Sequence, residues 1–181
     1  ALFICIALVV GLTSGPLLAA NSNAARYAIL IGNSEYPSPL DLPNPVNDVR
    51  AIGNVLAELG FVVRSLENGT LDQMRSHLRN SLSDVPDGAV VMFYYAGHAI
   101  QKNGVNWFLP VEFSVPENKD LTSVALGVAE VLKEIDIIDG ATKIIVLDAC
   151  RNYPLGEADE AIGNGLAGII SKGESLFAYA T

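Results

Sequence analysis

Residues 143–152 read KIIVLDACRN. An unbroken apolar run from Ile144 to Leu147 leads straight into Asp148, Ala149 and Cys150. A short apolar run closed by polar residues suits a strand buried on both faces, as in a parallel sheet covered by helices. Cys5 lies in the apolar first 24 residues, so Cys150 is the only thiol in the rest of the chain. A single cysteine makes no disulfide within its own domain. Two readings remain: a small buried apolar residue, or a thiol carried to the sheet edge for chemistry.

The same pattern recurs upstream. RYAILIG, Arg26 to Gly32, is an apolar run ended by a turn signal, and NSEYPSPLDLPNP then carries four prolines, which excludes regular structure. Val49, Ile52, Val55, Leu56 and Leu59 recur at helical spacing, with Gly60 as the stop. Phe61 to Leu66 reads as a second strand. Thr70 to Gln73 resembles a capping box that opens a helix running to about Ser83. Ala89 to Tyr95, AVVMFYY, is a third strand ending at Ala96-Gly97-His98. Ile100 to Val111 suggests a hairpin turning at Asn103-Gly104.

Ser123 to about Ile138 reads as a third helix, Lys143 to Leu147 as a fourth strand and Leu176 to Ala180 as a fifth. Alternating strands and helices predict an α/β fold with a mostly parallel central sheet flanked by helices. Arg151 to Ser175 is polar and glycine-rich and reads as a long loop, the kind that usually has a functional reason. The last strand has no helix after it, so the fold is expected to continue past Thr181 or to end at a processing point.

Residues 1–24 contain no charged side chain. The apolar run is short for a bilayer span and gives way to Gly11, Ser14, Gly15 and Pro16, so we read a signal peptide, with an uncleaved anchor as the alternative. That places the protein outside the cytoplasm, periplasmic or secreted. The remaining residues, about 157, match one domain. The net charge of −9 falls wholly within it and argues against nucleic acid as a partner. No membrane contact is expected beyond the possible anchor.

In an open parallel sheet, ligands bind beyond the carboxyl ends of the strands. His98 and Cys150 both fall at that edge. A thiol is a weak nucleophile until a neighbouring imidazole takes its proton, so the pair is the minimum machinery for acyl transfer. Each residue taken alone also has a plain structural reading. One cysteine and one histidine are too few ligands for zinc, and no dinucleotide or P-loop glycine pattern is present, so neither a metal nor another cofactor is expected.

YYAGHA, Tyr94 to Ala99, and LDACRN, Leu147 to Asn152, resemble the two catalytic motifs of the caspase-like cysteine peptidases: caspases, paracaspases and metacaspases. The 52-residue step from His98 to Cys150 agrees with that pattern. RYAILIGNSEY, LPNPVNDV and LFAYAT also resemble bacterial caspase-domain proteins, so the similarity extends over residues 26–181. It implies that Cys150 attacks a peptide carbonyl, that His98 acts as base and then acid, and that the N–H groups of Ala99 and Cys150 hold the oxyanion. The family usually has glycine where this chain has Ala99, and an alanine there is costly if the site needs positive φ.

Two positions bear on substrate choice. Asp148 stands where caspases carry glutamine, and its charge favours a substrate lysine or arginine over an aspartate. Asp48 matches the place of a second pocket acid in metacaspase-like enzymes, although it also suits a helix N-terminus. The expected activity is a cysteine endopeptidase acting on protein or peptide chains after Arg or Lys, with self-cleavage near Arg151 or Lys172. A catalytically silent caspase-fold interaction module is the alternative, and a hydrolase or transferase of small molecules is a third reading. His77 is expected on a solvated helix face. Asn68-Gly69-Thr70 is read as a turn with a cap rather than a glycosylation site, and Trp107 and Phe108 as hairpin packing.

Overall fold

The computed structural model describes residues 24–114, 120–150, 162–163, 166–168 and 173–180; of Cys150, Ile162, Gly163 and Ala180 it describes the backbone. All but the last residue of the expected signal peptide, residues 1–24, and the expected self-cleavage points Arg151 and Lys172 lie outside the described residues.

The chain order is β1 (Arg26–Gly32), α1 (Pro45–Glu58), β2 (Val62–Glu67), α2 (Leu71–Leu82), β3 (Val90–Lys102), β4 (Val105–Phe108), β5 (Leu126–Gly127), α3 (Val128–Ile135), β6 (Thr142–Cys150), β7 (Ile162–Gly163) and β8 (Ser175–Ala180). Strands β2, β1, β3, β6 and β8 lie side by side and are all parallel. Beyond this sheet β3 continues into an antiparallel extension with β4, β5 and β7.

Apolar side chains alternate between the two faces of the sheet. Ala28, Leu30, Tyr94 and Ala96 pack with Val49 and Leu56 of α1. Ile29, Ile31, Phe93, Ile145 and Leu147 pack on the other face with Met74 and Leu78 of α2 and Val131 and Ile135 of α3. Every one of these side chains is buried. Fully burying an aliphatic or aromatic side chain of this size is worth about 1.5–3 kcal/mol, so these two layers hold the central strands. The result is helix, sheet, helix, the three-layer architecture expected for the fold class.

Local chemistry sets the boundaries. Pro45 opens α1, where its missing N–H costs nothing. Thr70 and Gln73 close a reciprocal capping box at the start of α2. Asn103 (φ 53°) and Gly104 (φ 75°) make the tight turn between β3 and β4.

Three sequence expectations are corrected. The third strand does not end at Tyr95; it runs on through His98 to Lys102. The expected helix from Ser123 is confined to Val128–Ile135, because Asp120 caps a 3-10 turn over Leu121–Ser123 and Leu126–Gly127 pairs with β4. Part of the expected loop is also tied down. Ile162 and Gly163 pair with β3, and buried Asn106 exchanges two hydrogen bonds with the Ala167 main chain, at 2.6 and 2.8 Å.

Candidate active site

The parallel register of β3 and β6 places Ala96 opposite Asp148, Gly97 opposite Ala149 and His98 opposite Cys150. Neighbouring strands lie about 4.8 Å apart, so the two residues expected to form the dyad are direct cross-strand neighbours at the carboxyl edge of the sheet.

His98 is 8% exposed. Its ring Nε2 is 2.8 Å from the Leu40 carbonyl. A carbonyl oxygen only accepts, so Nε2 carries the proton and Nδ1 presents a lone pair. Nδ1 is buried and has no hydrogen-bond partner among the described residues. Burial lowers the pKa of His98, with the Leu40 carbonyl opposing it weakly. The ring is thus held neutral, with one nitrogen spent on the main chain and the other open as a base.

The main chain of His98 is held as firmly as its ring. The Tyr36 hydroxyl accepts from the His98 N–H at 3.0 Å, and the Tyr95 hydroxyl donates to the His98 carbonyl at 2.7 Å. The Tyr36 ring also stacks obliquely on the imidazole, with centroids 4.6 Å apart. Neither tyrosine was singled out from sequence, although both lie in the quoted motifs RYAILIGNSEY and YYAGHA. The Leu40 carbonyl had no signal at all, because it is a main-chain group whose position depends on the path of the proline-rich loop.

Gly97 has φ of 151°, and a Cβ built on it would lie 2.7 Å from the Tyr95 hydroxyl and 2.8 Å from that of Tyr36. The unusual backbone thus belongs to the glycine before the histidine. Ala99 does not share it; Asn68 and Asn103 are the only non-glycine residues with positive φ among those described. Ala99 is buried and faces Phe108 across the hairpin. Because the adjacent bond runs from the Leu109 N–H to the His98 carbonyl, Ala99 and Phe108 form a non-hydrogen-bonded pair. The Ala99 N–H therefore points away from β4. Asn33, just past β1, bonds the Leu109 carbonyl just past β4, so β4 lies on the β1 side of β3 and that N–H faces the side where β6 runs.

Asp148 is half-buried and accepts a hydrogen bond from the Tyr94 hydroxyl at 3.1 Å. Burial, together with the charges of Asp148 and then Asp48, raises the Tyr94 pKa well above its usual value, so the phenol stays a donor. Asp48 is likewise half-buried, in the first turn of α1. Its charge adds to that of Asp148 in raising the Tyr94 pKa. Among the described residues no three His, Cys, Asp or Glu side chains gather as a metal site.

His77 is not on a solvated face. It is half-buried on α2, its Nε2 is 3.2 Å from the Arg64 carbonyl, and burial lowers its pKa. Phe108 is fully buried and stacks on Tyr95 at 4.6 Å, while Trp107 packs partly buried beside Tyr36 and Leu109, as the hairpin reading expects.

Three comparisons with known proteins bear on this arrangement. Over residues 25–179 the chain matches the family model described as the caspase domain. It is 31% identical over 126 residues to mucosa-associated lymphoid tissue lymphoma translocation protein 1 of Homo sapiens. To the homolog of that protein in Mus musculus it is 30% identical over 126 residues. Each match covers 70% of this chain, which spans 15% of those relatives' own length. The crystal structure of protein GSU0716 from Geobacter sulfurreducens superposes with a TM-score of 0.55 at 14% identity, over 70% of this chain and 50% of that one, a likeness of fold. With the family model matched over almost all the described residues, the chain belongs to the caspase-domain family of peptidases.

Proposed function

We propose that this domain is a cysteine endopeptidase that cleaves after arginine or lysine through a Cys150–His98 dyad. The observation that carries the reading is the register of β3 and β6, which sets His98 opposite Cys150 while Nδ1 of His98 is buried with no partner among the described residues. Nδ1 takes the thiol proton as sulfur bonds to the substrate carbonyl carbon. The carbonyl electron pair moves to oxygen, and the N–H groups of Ala99 and Cys150 receive that oxyanion. Collapse breaks the peptide C–N bond, and the departing amine takes the proton from His98. Water, deprotonated at the same nitrogen, then hydrolyses the acyl-enzyme and restores the thiol.

Nε2 has a matching part. As Nδ1 gains its proton the ring becomes cationic, and the Leu40 carbonyl stabilises that charge while fixing the ring plane. Substrate choice rests on Asp148 and Asp48. Asp148, bonded to the Tyr94 hydroxyl, and Asp48, whose charge also raises the Tyr94 pKa, would offer a guanidinium or ammonium group a charged partner and repel an acidic side chain. The acidic surface and uncharged first 24 residues support peptide substrates met outside the cytoplasm rather than nucleic acid.

The test is hydrolysis of fluorogenic peptides ending in Arg, Lys or Asp by the full-length protein. The expected result is cleavage after Arg and Lys, abolished by Cys150→Ala. Activity indifferent to Cys150→Ala sinks the mechanism, preference for Asp sinks the pocket, and a protein that cleaves nothing and leaves Cys150 unlabelled by a basic-peptide warhead is the silent interaction module instead.

A further inference from the structure

We infer that Tyr36 and Tyr95 form a closed hydrogen-bond ring on the main chain of His98 and act together as positioning residues for its imidazole, an inference that rests on the function proposed above. The ring runs from the His98 N–H to the Tyr36 hydroxyl at 3.0 Å, from that hydroxyl to Tyr95 at 3.2 Å, and from Tyr95 back to the His98 carbonyl at 2.7 Å. The His98 N–H can only donate and its carbonyl can only accept, so when Tyr95 gives its proton to that carbonyl, Tyr36 is the donor between the two hydroxyls. The Leu109 carbonyl lies 3.1 Å from Tyr36 and 2.9 Å from Tyr95, within reach of both hydroxyls. It also accepts from the Asn33 side chain at 3.0 Å, so it is satisfied whichever way the hydroxyls turn.

This is more than core packing. Tyr95 is completely buried and Tyr36 is 7% exposed, yet a core needs no phenol at either place; phenylalanine fills nearly the same volume. Burial raises the Tyr95 pKa well above its usual value, so it remains a donor throughout the working pH range. Hydrogen bonds chained in a dry environment polarise and strengthen one another. What they grip is one residue: both backbone groups of His98 are held by the ring, its imidazole rests on the Tyr36 ring, and Nε2 is held by the Leu40 carbonyl. Among the described residues, nothing bonds the Nδ1 lone pair. Gly97 makes the ring possible, since any Cβ there would overlap both hydroxyls.

A misplacement of about 1 Å in a catalytic group costs on the order of 100-fold in rate, which sets the scale of the test. Tyr36→Phe, Tyr95→Phe and the double variant keep the aromatic cores and remove only the ring of hydroxyls. On a basic peptide substrate each single variant is expected to lose about 10- to 100-fold in kcat with KM within about twofold. The double variant is expected to be no worse than the worse single, because opening the ring at either place opens it altogether. Tyr27→Phe, whose ring lies under the Arg64 guanidinium at 5.3 Å and away from the site, serves as the control with unchanged kcat.

Nitrogen-15 NMR of the imidazole supplies a readout independent of turnover. The wild type is expected to show His98 as the single Nε2–H tautomer, and the Phe variants a mixture of both. Single variants with wild-type kcat and tautomer overturn the inference, as do losses that multiply in the double. If no peptide is cleaved by the wild type, the proposed function fails on its own, while an unchanged or altered tautomer in the variants still decides whether the ring positions His98.

Discussion

The chain has two histidines, His77 and His98, and in isolation they look alike. Both are half or more buried, both place Nε2 against a backbone carbonyl, and burial lowers the pKa of both. They differ in what surrounds the other nitrogen and in where the fold carries them. His77 sits in mid α2 against the edge strand β2, with the Arg64 and Asp84 ion pair nearby. His98 lies at the carboxyl edge of the central sheet, opposite Cys150, with Nδ1 buried and unbonded among the described residues and both of its main-chain groups clamped. A neutral, shifted imidazole is therefore common property; a site comes from the strand register and from the groups that aim one lone pair.

The comparison breaks most severely at Gly97. Gly97→Ala forces a side chain into a φ of 151° and against two hydroxyls. It is expected to lower stability by about 3 kcal/mol and to remove nearly all activity, read by urea unfolding and peptide hydrolysis. A variant with wild-type stability and rate would show that nothing special holds His98.

The pocket is the next break. Asp148→Asn leaves His98 untouched but removes the charge bonded to Tyr94, and kcat/KM for arginine peptides is expected to fall by about 100-fold with activity on neutral peptides kept. Asp48→Asn, which acts on Tyr94 through charge alone, is expected to cost less, about tenfold. Equal loss on neutral and basic peptides would place both acids outside the substrate pocket.

The pH response separates the two histidines further. Each folded imidazole binds its proton less readily than the unfolded one, whose usual pKa is 6.5. The unfolded state therefore takes up protons first as pH falls, so the stability contributed by both residues is whole above about 6.5 and declines below it. Activity is expected to follow His98 alone: the acid limb of kcat/KM lies below 6.5, and His77→Ala leaves it in place. A limb that moves with His77→Ala would assign the base to the wrong histidine. The smallest effect is that of His77→Ala itself, a loss of about 1 kcal/mol in stability with kcat within about twofold of wild type, measured by thermal unfolding and turnover.

Much of this was legible in the chain because the signals were local. Apolar runs ending at Gly32 and at Leu147 marked strands, the second of which runs on to Cys150, Thr70 and Gln73 marked a helix start, and Asn103-Gly104 marked a hairpin. The errors came where partners distant in sequence decide. The strand through His98 outlasts its apolar run because β4 and β6 pair with it, and Leu126–Gly127 is drawn from helix to strand by β4. His77 looked solvated among polar neighbours because its burial comes from β2, not from its own helix. Within the site, Cys150, His98 and Asp148 were expected from sequence as side chains with chemistry. The Leu40 carbonyl and the tyrosine ring were not, since a main-chain acceptor and two buried phenols acquire meaning only once loop, strand and hairpin meet.

The measurement that tests the account most directly is the rate at which a lysine or arginine peptide bearing a thiol-reactive group labels Cys150 in the full-length protein, followed by mass spectrometry in wild type, His98→Ala and His77→Ala. The account predicts fast labelling in wild type and His77→Ala and a rate lowered at least about 100-fold in His98→Ala. Equal rates in all three, or loss in His77→Ala alone, would contradict it.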